Sequence, residues 1–255
     1  LLLTIILAGC NNQMNKKAPL IPMEDFFRNP DKSSFQISPD GQHIAYMKPW
    51  KTRMNVHVIN VKTTDETRLT SSEDRGIYGY GWLGNNRIGY AKDDGGDENT
   101  HFFSVNIDGT NEIDLTPFKN VQTRMIDDLE DDPDHIILGL NKRDPRIHDA
   151  FRVNVTDGTM KLIAENPGNI SGWMTDHDGN LRVAITSDGV NTSLLYRDSE
   201  SELFKTILTT DFKVRVDPLF FTFDNKNLYV ASNRNRDKSA IYTFDITETQ
   251  EKELI

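Results

Sequence analysis

The sequence predicts an all-β fold, a β-propeller built from four-stranded blades. Three observations carry it. Tight-turn residues recur at Asp40, Asn85, Asp134, Asp178 and Asn225, spaced 45, 49, 44 and 47 residues apart. Each interval holds four short apolar runs, and a period in the forties with four strands per unit is a blade repeat. Many of these runs are apolar on both sides, as at Ile136-Ile137-Leu138-Gly139-Leu140. A sheet pressed between two others buries both faces, so continuous runs replace alternation.

Each unit repeats the same order. The first strands are expected at Phe35–Ile37, Tyr78–Leu83, Met125–Leu129, Ile170–Thr175 and Leu219–Phe223. Asp, Asn and Gly then supply the turn, since they tolerate the left-handed backbone that a tight hairpin needs. Second strands follow at Ile44–Met47, Arg87–Ala91, Ile136–Leu140, Leu181–Ile185 and Leu228–Ala231. Third strands lie at Val56–Val61, Phe102–Ile107, Phe151–Val155, Ser193–Tyr196 and Ala240–Ile246. Fourth strands lie at Thr67–Leu69, Glu112–Leu115, Met160–Ile163, Phe204–Leu208 and Lys252–Ile255. Five blades are visible in residues 23–255, and they are expected to belong to an incomplete seven- or eight-bladed ring, with a closed five-bladed ring as the alternative. Met23–Arg28 is expected to form one helical turn ahead of the first blade.

The N-terminus reads as an address rather than as fold. Leu1–Ala8 is apolar apart from Thr4 and too short to span a bilayer, which fits the apolar region of an export signal. It ends in Leu7-Ala8-Gly9-Cys10, which resembles a bacterial lipobox, with Cys10 as the lipidation site. Residues 1–10 are therefore expected to be a lipoprotein signal peptide that lacks its beginning, since no initiator Met or basic region precedes the run. Residues 11–22 are expected to be a tether. Cys10 is the sole cysteine, so no disulfide forms within the chain. Asn11 and Asn12 follow it rather than an Asp that would favour inner-membrane retention, so the expected location is the periplasmic side of the outer membrane.

Charge narrows the partners. The net charge is −10, and no lysine or arginine run occurs, which argues against nucleic acid. Gly79-Tyr80-Gly81-Trp82-Leu83-Gly84 matches a dinucleotide fingerprint in letters, but a further strand rather than a helix follows it, so no cofactor is expected. Its glycines are instead expected to let inner strands crowd the axis. The acidic stretches Asp93–Asn99 and Asp127–Asp132 are expected to be solvated loops, because neither has calcium-loop spacing. His43, His57, His101, His135, His148 and His177 are scattered, with no zinc spacing among them. No G-x-S-x-G elbow occurs, and Gly168–Gly172 has its serine one place off. The sequence therefore offers no catalytic, cofactor-binding or metal-ligating residue. Arg143–Arg146 and Ser232–Asp237 are expected to be loops whose Arg and Asp side chains make structural ion pairs.

Taken in order, Asp25-Phe26-Phe27-Arg28-Asn29-Pro30, Ile37-Ser38-Pro39-Asp40-Gly41, Gly95–Asn99, Asp114-Leu115-Thr116-Pro117, Glu165-Asn166-Pro167-Gly168 and Ser232–Asp237 resemble the propeller domain of the prolyl oligopeptidase family, especially its acylaminoacyl-peptidase-like branch. The resemblance runs over residues 24–255. It implies a C-terminal α/β-hydrolase domain with a Ser-Asp-His triad, oligopeptide substrates and a propeller that gates them. No triad residue maps onto this chain, so by itself it is expected to be inactive. The alternative is a stand-alone periplasmic propeller that binds a protein or glycan without chemistry.

Overall fold

The computed structural model describes residues 18–255; Cys10 and the expected signal segment lie outside that range. After a short helix α1 (Met23–Phe27), the chain forms twenty strands in five antiparallel four-stranded sheets. Blade 1 comprises β1 (Ser33–Ile37), β2 (His43–Trp50), β3 (Arg53–Asn60) and β4 (Glu66–Arg68). Blade 2 comprises β5 (Gly79–Leu83), β6 (Arg87–Lys92), β7 (His101–Asn106) and β8 (Ile113–Asp114). Blade 3 comprises β9 (Thr123–Asp127), β10 (His135–Asp144), β11 (Ile147–Asn154) and β12 (Met160–Ala164). Blade 4 comprises β13 (Ile170–Thr175), β14 (Leu181–Ser187), β15 (Asn191–Tyr196) and β16 (Lys205–Asp211). Blade 5 comprises β17 (Val216–Phe221), β18 (Asn227–Ser232), β19 (Ala240–Asp245) and β20 (Gln250–Leu254). Within each blade, strands pair in chain order.

The first strand of each blade is innermost, because β13 lies against both β9 and β17. Apolar side chains fill the spaces between successive blades. Ala45, Met47, Val56 and Val58 of blade 1 meet Ile88, Tyr90 and Val105 of blade 2. Leu83 and Leu115 meet Ile136, Leu138, Leu140 and Val153 across the next interface. Ile137 and Ala150 meet Leu181, and Val183 and Leu194 meet Phe221, Leu228 and Phe244. Neighbours along β10 thus face opposite interfaces, Leu138 toward blade 2 and Ile137 toward blade 4, which is why that strand has no polar alternation. Each buried Val, Leu, Ile, Met or Phe side chain among them contributes roughly 1.5–3 kcal/mol. Among the described residues no apolar cluster joins blade 5 to blade 1, so the five blades make an open arc. Phe35 and Ile37 on one end and Phe220 and Ile241 on the other remain exposed.

The turns between first and second strands form a second set of contacts. Ser38 Oγ donates to Asp40 Oδ1 at 2.7 Å, and Gly41 takes φ +70°. Thr222, Asp224 and Asn225 repeat the device in blade 5, with Thr222 Oγ1 2.6 Å from Asp224 and Asn225 at φ +56°. These turns touch across blades. The Asp40 amide donates to Asn85 Oδ1 at 3.0 Å, and the His177 amide donates to Asn225 Oδ1 at 3.0 Å.

Several expectations need correction. The first strands of blades 3 and 5 sit earlier than expected. Leu129 adopts φ +51° inside the turn, and Phe223 is exposed because the Thr222 hydroxyl has already begun the next turn. Arg143 and Asp144 belong to β10 rather than to a loop, since Asp144 pairs with Ile147 across a two-residue Pro145-Arg146 hairpin. Asp93 is not solvated: its side chain is fully buried beneath Arg75, at 3.1 Å. Of the glycines expected to crowd the axis, Gly84 packs closely, a Cβ there falling 2.7 Å from Pro133 Cβ of the next blade, but Gly79 and Gly81 do not. A Cβ at Gly79 or Gly81 meets nothing within 4 Å, whereas one at Gly89 falls 2.9 Å from both Leu83 Cδ1 and Phe102 Cε1.

The face of blade 1 turned away from blade 2 carries a polar cluster. Tyr46 stacks on His57 at 6.0 Å, and Glu66 stands 3.0 Å from His57 Nδ1 and 2.7 Å from Lys48 Nζ. Burial holds His57 below the ordinary histidine range. Hydrogen bonds from Lys48 and Tyr46 hold Glu66 at about 2.

Two outcomes follow from this packing. Gly89→Ala should lower stability by about 1–3 kcal/mol through overpacking, whereas Gly81→Ala should stay within about 0.5 kcal/mol, as read from urea midpoints. The carboxyl of Glu66 is depressed on folding, so its contribution is complete above the usual glutamate range and is lost as pH falls toward about 2. Urea midpoints of the native chain and Glu66→Gln should therefore converge between pH 6 and pH 3. A constant gap would show that the ion pair contributes nothing.

Candidate functional site

A sheet buried on both faces leaves its polar side chains at strand ends, so the two rims of the arc hold the chemistry. The rim of first-to-second-strand turns is acidic. Asp127–Asp132, Met174–Gly179 and Leu219–Phe221 line a groove of about 420 Å³ between blades 3, 4 and 5, with Arg152 at its edge. Part of the negative charge is spent internally. Asp127 Oδ1 accepts the Leu129 amide at 2.8 Å, while its other oxygen takes the Thr175 hydroxyl. Asp132 faces His135 at 3.0 Å, and Asp176 holds Arg182 at 3.0 Å. Asp128, Glu130 and Asp131 make no ion pair among the described residues, so this stretch presents net negative charge to solvent.

The opposite rim carries the hairpins between second and third strands and the connectors between blades. In blade 2, Asp93, Asp97, His101, Phe103, Asp114 and Phe118 are among the residues around a hollow of about 560 Å³. His101 Nδ1 lies 3.0 Å from Asp114, which also accepts the Thr116 amide at 2.8 Å. Arg75 grips Asp93 with two 3.1 Å hydrogen bonds. These bonds hold the Asp93 carboxyl below the usual range and raise the guanidinium further.

Three of the segments that carry the resemblance, Asp114–Pro117, Glu165–Gly168 and Ser232–Asp237, are clamps on connectors. Asn166 Oδ1 accepts the amides of Gly168 at 2.9 Å and Ile170 at 3.0 Å, while its own amide donates to Asp149 at 2.7 Å. Arg143 grips the same Asp149 at 2.8 and 2.9 Å. Thr116 Oγ1 accepts the Phe102 amide, and Asn233 ties Arg215 and Lys213 of the preceding connector to the end of β18. Arg146 pairs with Asp144 at 2.6 Å. The ion pairs expected at Arg143–Arg146 are thus present and brace a hairpin, whereas those expected at Ser232–Asp237 do not form among the described residues: Arg236 donates instead to the Tyr242 hydroxyl at 3.1 Å.

Among the described residues no serine or threonine hydroxyl is hydrogen-bonded to a histidine ring, and no group of three His, Cys, Asp or Glu side chains is placed to hold a metal ion. Gly79–Gly84 runs along β5 into a turn and then into β6, without the helix N-terminus a pyrophosphate needs. No helix among the described residues is long and apolar enough to cross a membrane. The residues that line the rim grooves, Arg124 and Trp173 among them, carry no sequence signal. Grooves arise where strands from two blades meet, and neither strand shows this alone.

No protein-family model matches the chain. Among curated proteins it is 29% identical over 238 residues to dipeptidyl aminopeptidase BIII of Pseudoxanthomonas mexicana, covering 89% of this chain and 34% of that one. The chain spans about a third of the length of the curated relatives it matches. Among solved structures, Porphyromonas gingivalis dipeptidyl peptidase 4 aligns with a TM-score of 0.61 at 14% identity, over 88% of this chain and 39% of that one. Prolyl oligopeptidase B of Galerina marginata aligns with a TM-score of 0.59 at 11% identity, over 87% and 33%. Likeness at such identity is a likeness of fold, while the first relative matches in sequence along nearly the whole chain. In fold and in sequence, the chain matches the propeller portion of peptidases of the prolyl oligopeptidase family.

Proposed function

We propose that this chain is the substrate-gating propeller of an exported serine peptidase that hydrolyses oligopeptides, with the Ser-Asp-His chemistry housed in an α/β-hydrolase domain of the same protein. The observation that carries this reading is the sequence match to a dipeptidyl aminopeptidase across 89% of the chain. The structure adds physical support. Many of its polar groups brace turns and connectors, while Asp128, Glu130 and Asp131 stay unpaired among the described residues on one rim, which suits a propeller that screens and orients a peptide. The acidic rim suits a peptide amine. Cys10 supplies the anchor in this reading: its lipidated thiol would hold the peptidase at the periplasmic side of the outer membrane through the 11–22 tether.

Two measurements test it. The 255-residue chain should show no turnover of dipeptidyl arylamides, and the full-length protein should release dipeptides from unstructured oligopeptides and fail on folded proteins. Turnover by this chain alone, or a full-length protein inert toward every peptide length, would sink the proposal. In cells expressing the full-length precursor, Cys10→Ser should move the protein from the detergent phase to the aqueous phase on cloud-point partition. Unchanged partition would remove the anchor.

A further inference from the structure

The interface between blades 3 and 4 is not filled to its end. Along β10, Ile137 is fully buried against blade 4, but two residues on, toward the hairpin rim, the same face holds only Gly139. Arg124 of β9 and Ala150 of β11 pair with Gly139, and His148 follows on the same face. The result is a groove of about 460 Å³ walled by Arg124, Ile126, His148 and Trp173. Its volume is that of a small-molecule site.

The polar groups in this groove lack partners of the kind they need. Arg124 makes one hydrogen bond, to the neutral Gln122 Oε1 at 3.3 Å, and pairs with no carboxylate among the described residues. Nε2 of His148 is shut off from solvent and has no hydrogen-bond partner. The sealed Nε2 is the bare nitrogen of the neutral ring, which leaves the ring N–H on Nδ1, an atom that is not shut off. The nearby carboxylates are committed. Asp149 is held by Arg143 and the Asn166 amide, and Asp144 is held by Arg146. Burial and the Arg124 charge keep His148 below the ordinary histidine range, so the imidazole is neutral at pH 7 and one of its nitrogens offers an N–H.

We propose that this groove binds a carboxylate joined to an apolar group, with Arg124 pairing the anion, His148 donating to it, and Ile126 and Trp173 covering the apolar part. In a chain of net charge −10, an unpaired guanidinium beside an unpartnered imidazole at the mouth of an apolar interface is complementary to such a ligand and to few others. The carboxylate is assigned to the free C-terminus of a short peptide. That assignment rests on the peptidase reading; the anion site does not.

The test is calorimetric titration of the full chain at pH 7 and low salt with N-acetyl-alanyl-phenylalanine, its C-terminal amide, and 3-phenylpropionate. The free acid should bind at least tenfold more tightly than the amide, and 3-phenylpropionate should bind more weakly than the dipeptide. Arg124→Gln should erase the acid–amide difference, and Arg124→Lys should keep part of it. Equal affinity for acid and amide, no binding of either, or an unchanged difference in Arg124→Gln would overturn the site. The acid–amide contrast uses the native chain, so it holds even where a variant folds poorly. Phenylpropionate binding as tightly as the dipeptide would overturn the peptide assignment. A full-length protein without peptidase activity would sink the functional reading and leave these titrations untouched.

Discussion

A four-stranded sheet with a neighbour on each face has no solvent-facing side for a charged residue, except at the ends of its strands. β10 makes the constraint visible. Ile136, Ile137, Leu138 and Leu140 are all fully buried, three toward blade 2 and Ile137 toward blade 4, and the chain turns abruptly to Asn141-Lys142-Arg143-Asp144 where the strand leaves the stack. Burial of both faces fixes blade spacing. It also drives most polar side chains to a rim, and the exceptions, such as Ser104 between blades 2 and 3, are hydrogen-bonded where they are buried. The clamps at Asn166, Asp149 and Asn233 and the grooves at either rim are two consequences of this one geometry.

The same constraint explains what the sequence made legible. All twenty strands lie near their expected places because the apolar runs that identify them are the blade interfaces. The turn residues used to find the period, Asp40, Asn85 and Asn225, are also the ones that touch across blades, so the repeat in the sequence is a repeat of contacts. The misplacements have local causes. Thr222 and Leu129 are apolar enough in pattern to extend a strand, but a hydroxyl bond in one case and a left-handed residue in the other end it early. Asp93 looked like one more carboxylate in an acidic loop, and only the fold brings Arg75, from the preceding connector, over it.

The rim grooves were not legible, for a different reason. Arg124, Gly139, His148 and Trp173 lie on four strands of two blades. Gly139 sits inside the most apolar run of the chain, where a missing side chain looks like a packing detail. Its effect appears only when blade 4 is laid against it and fails to fill the space. In the Gly79–Gly84 run, Gly79 and Gly81 border open space, and only Gly84 packs closely, against Pro133. Spacing in the sequence identifies what repeats, whereas a site is a departure from the repeat.

That distinction bears on how this fold relates to function. The motifs that carry the resemblance, Asp114–Pro117, Glu165–Gly168 and Ser232–Asp237, bind backbone amides and carbonyls at blade connectors. They specify how blades are joined and oriented, not what the rims recognise. Family resemblance therefore reaches the architecture first, and specificity must come from side chains that the architecture leaves unspent. Arg124 is such a residue: removing its charge disturbs no brace described among these blades, while its neighbour Arg146 is consumed by Asp144 across the same hairpin. A guanidinium held free at the mouth of an interface of the arc is placed to act on whatever enters there.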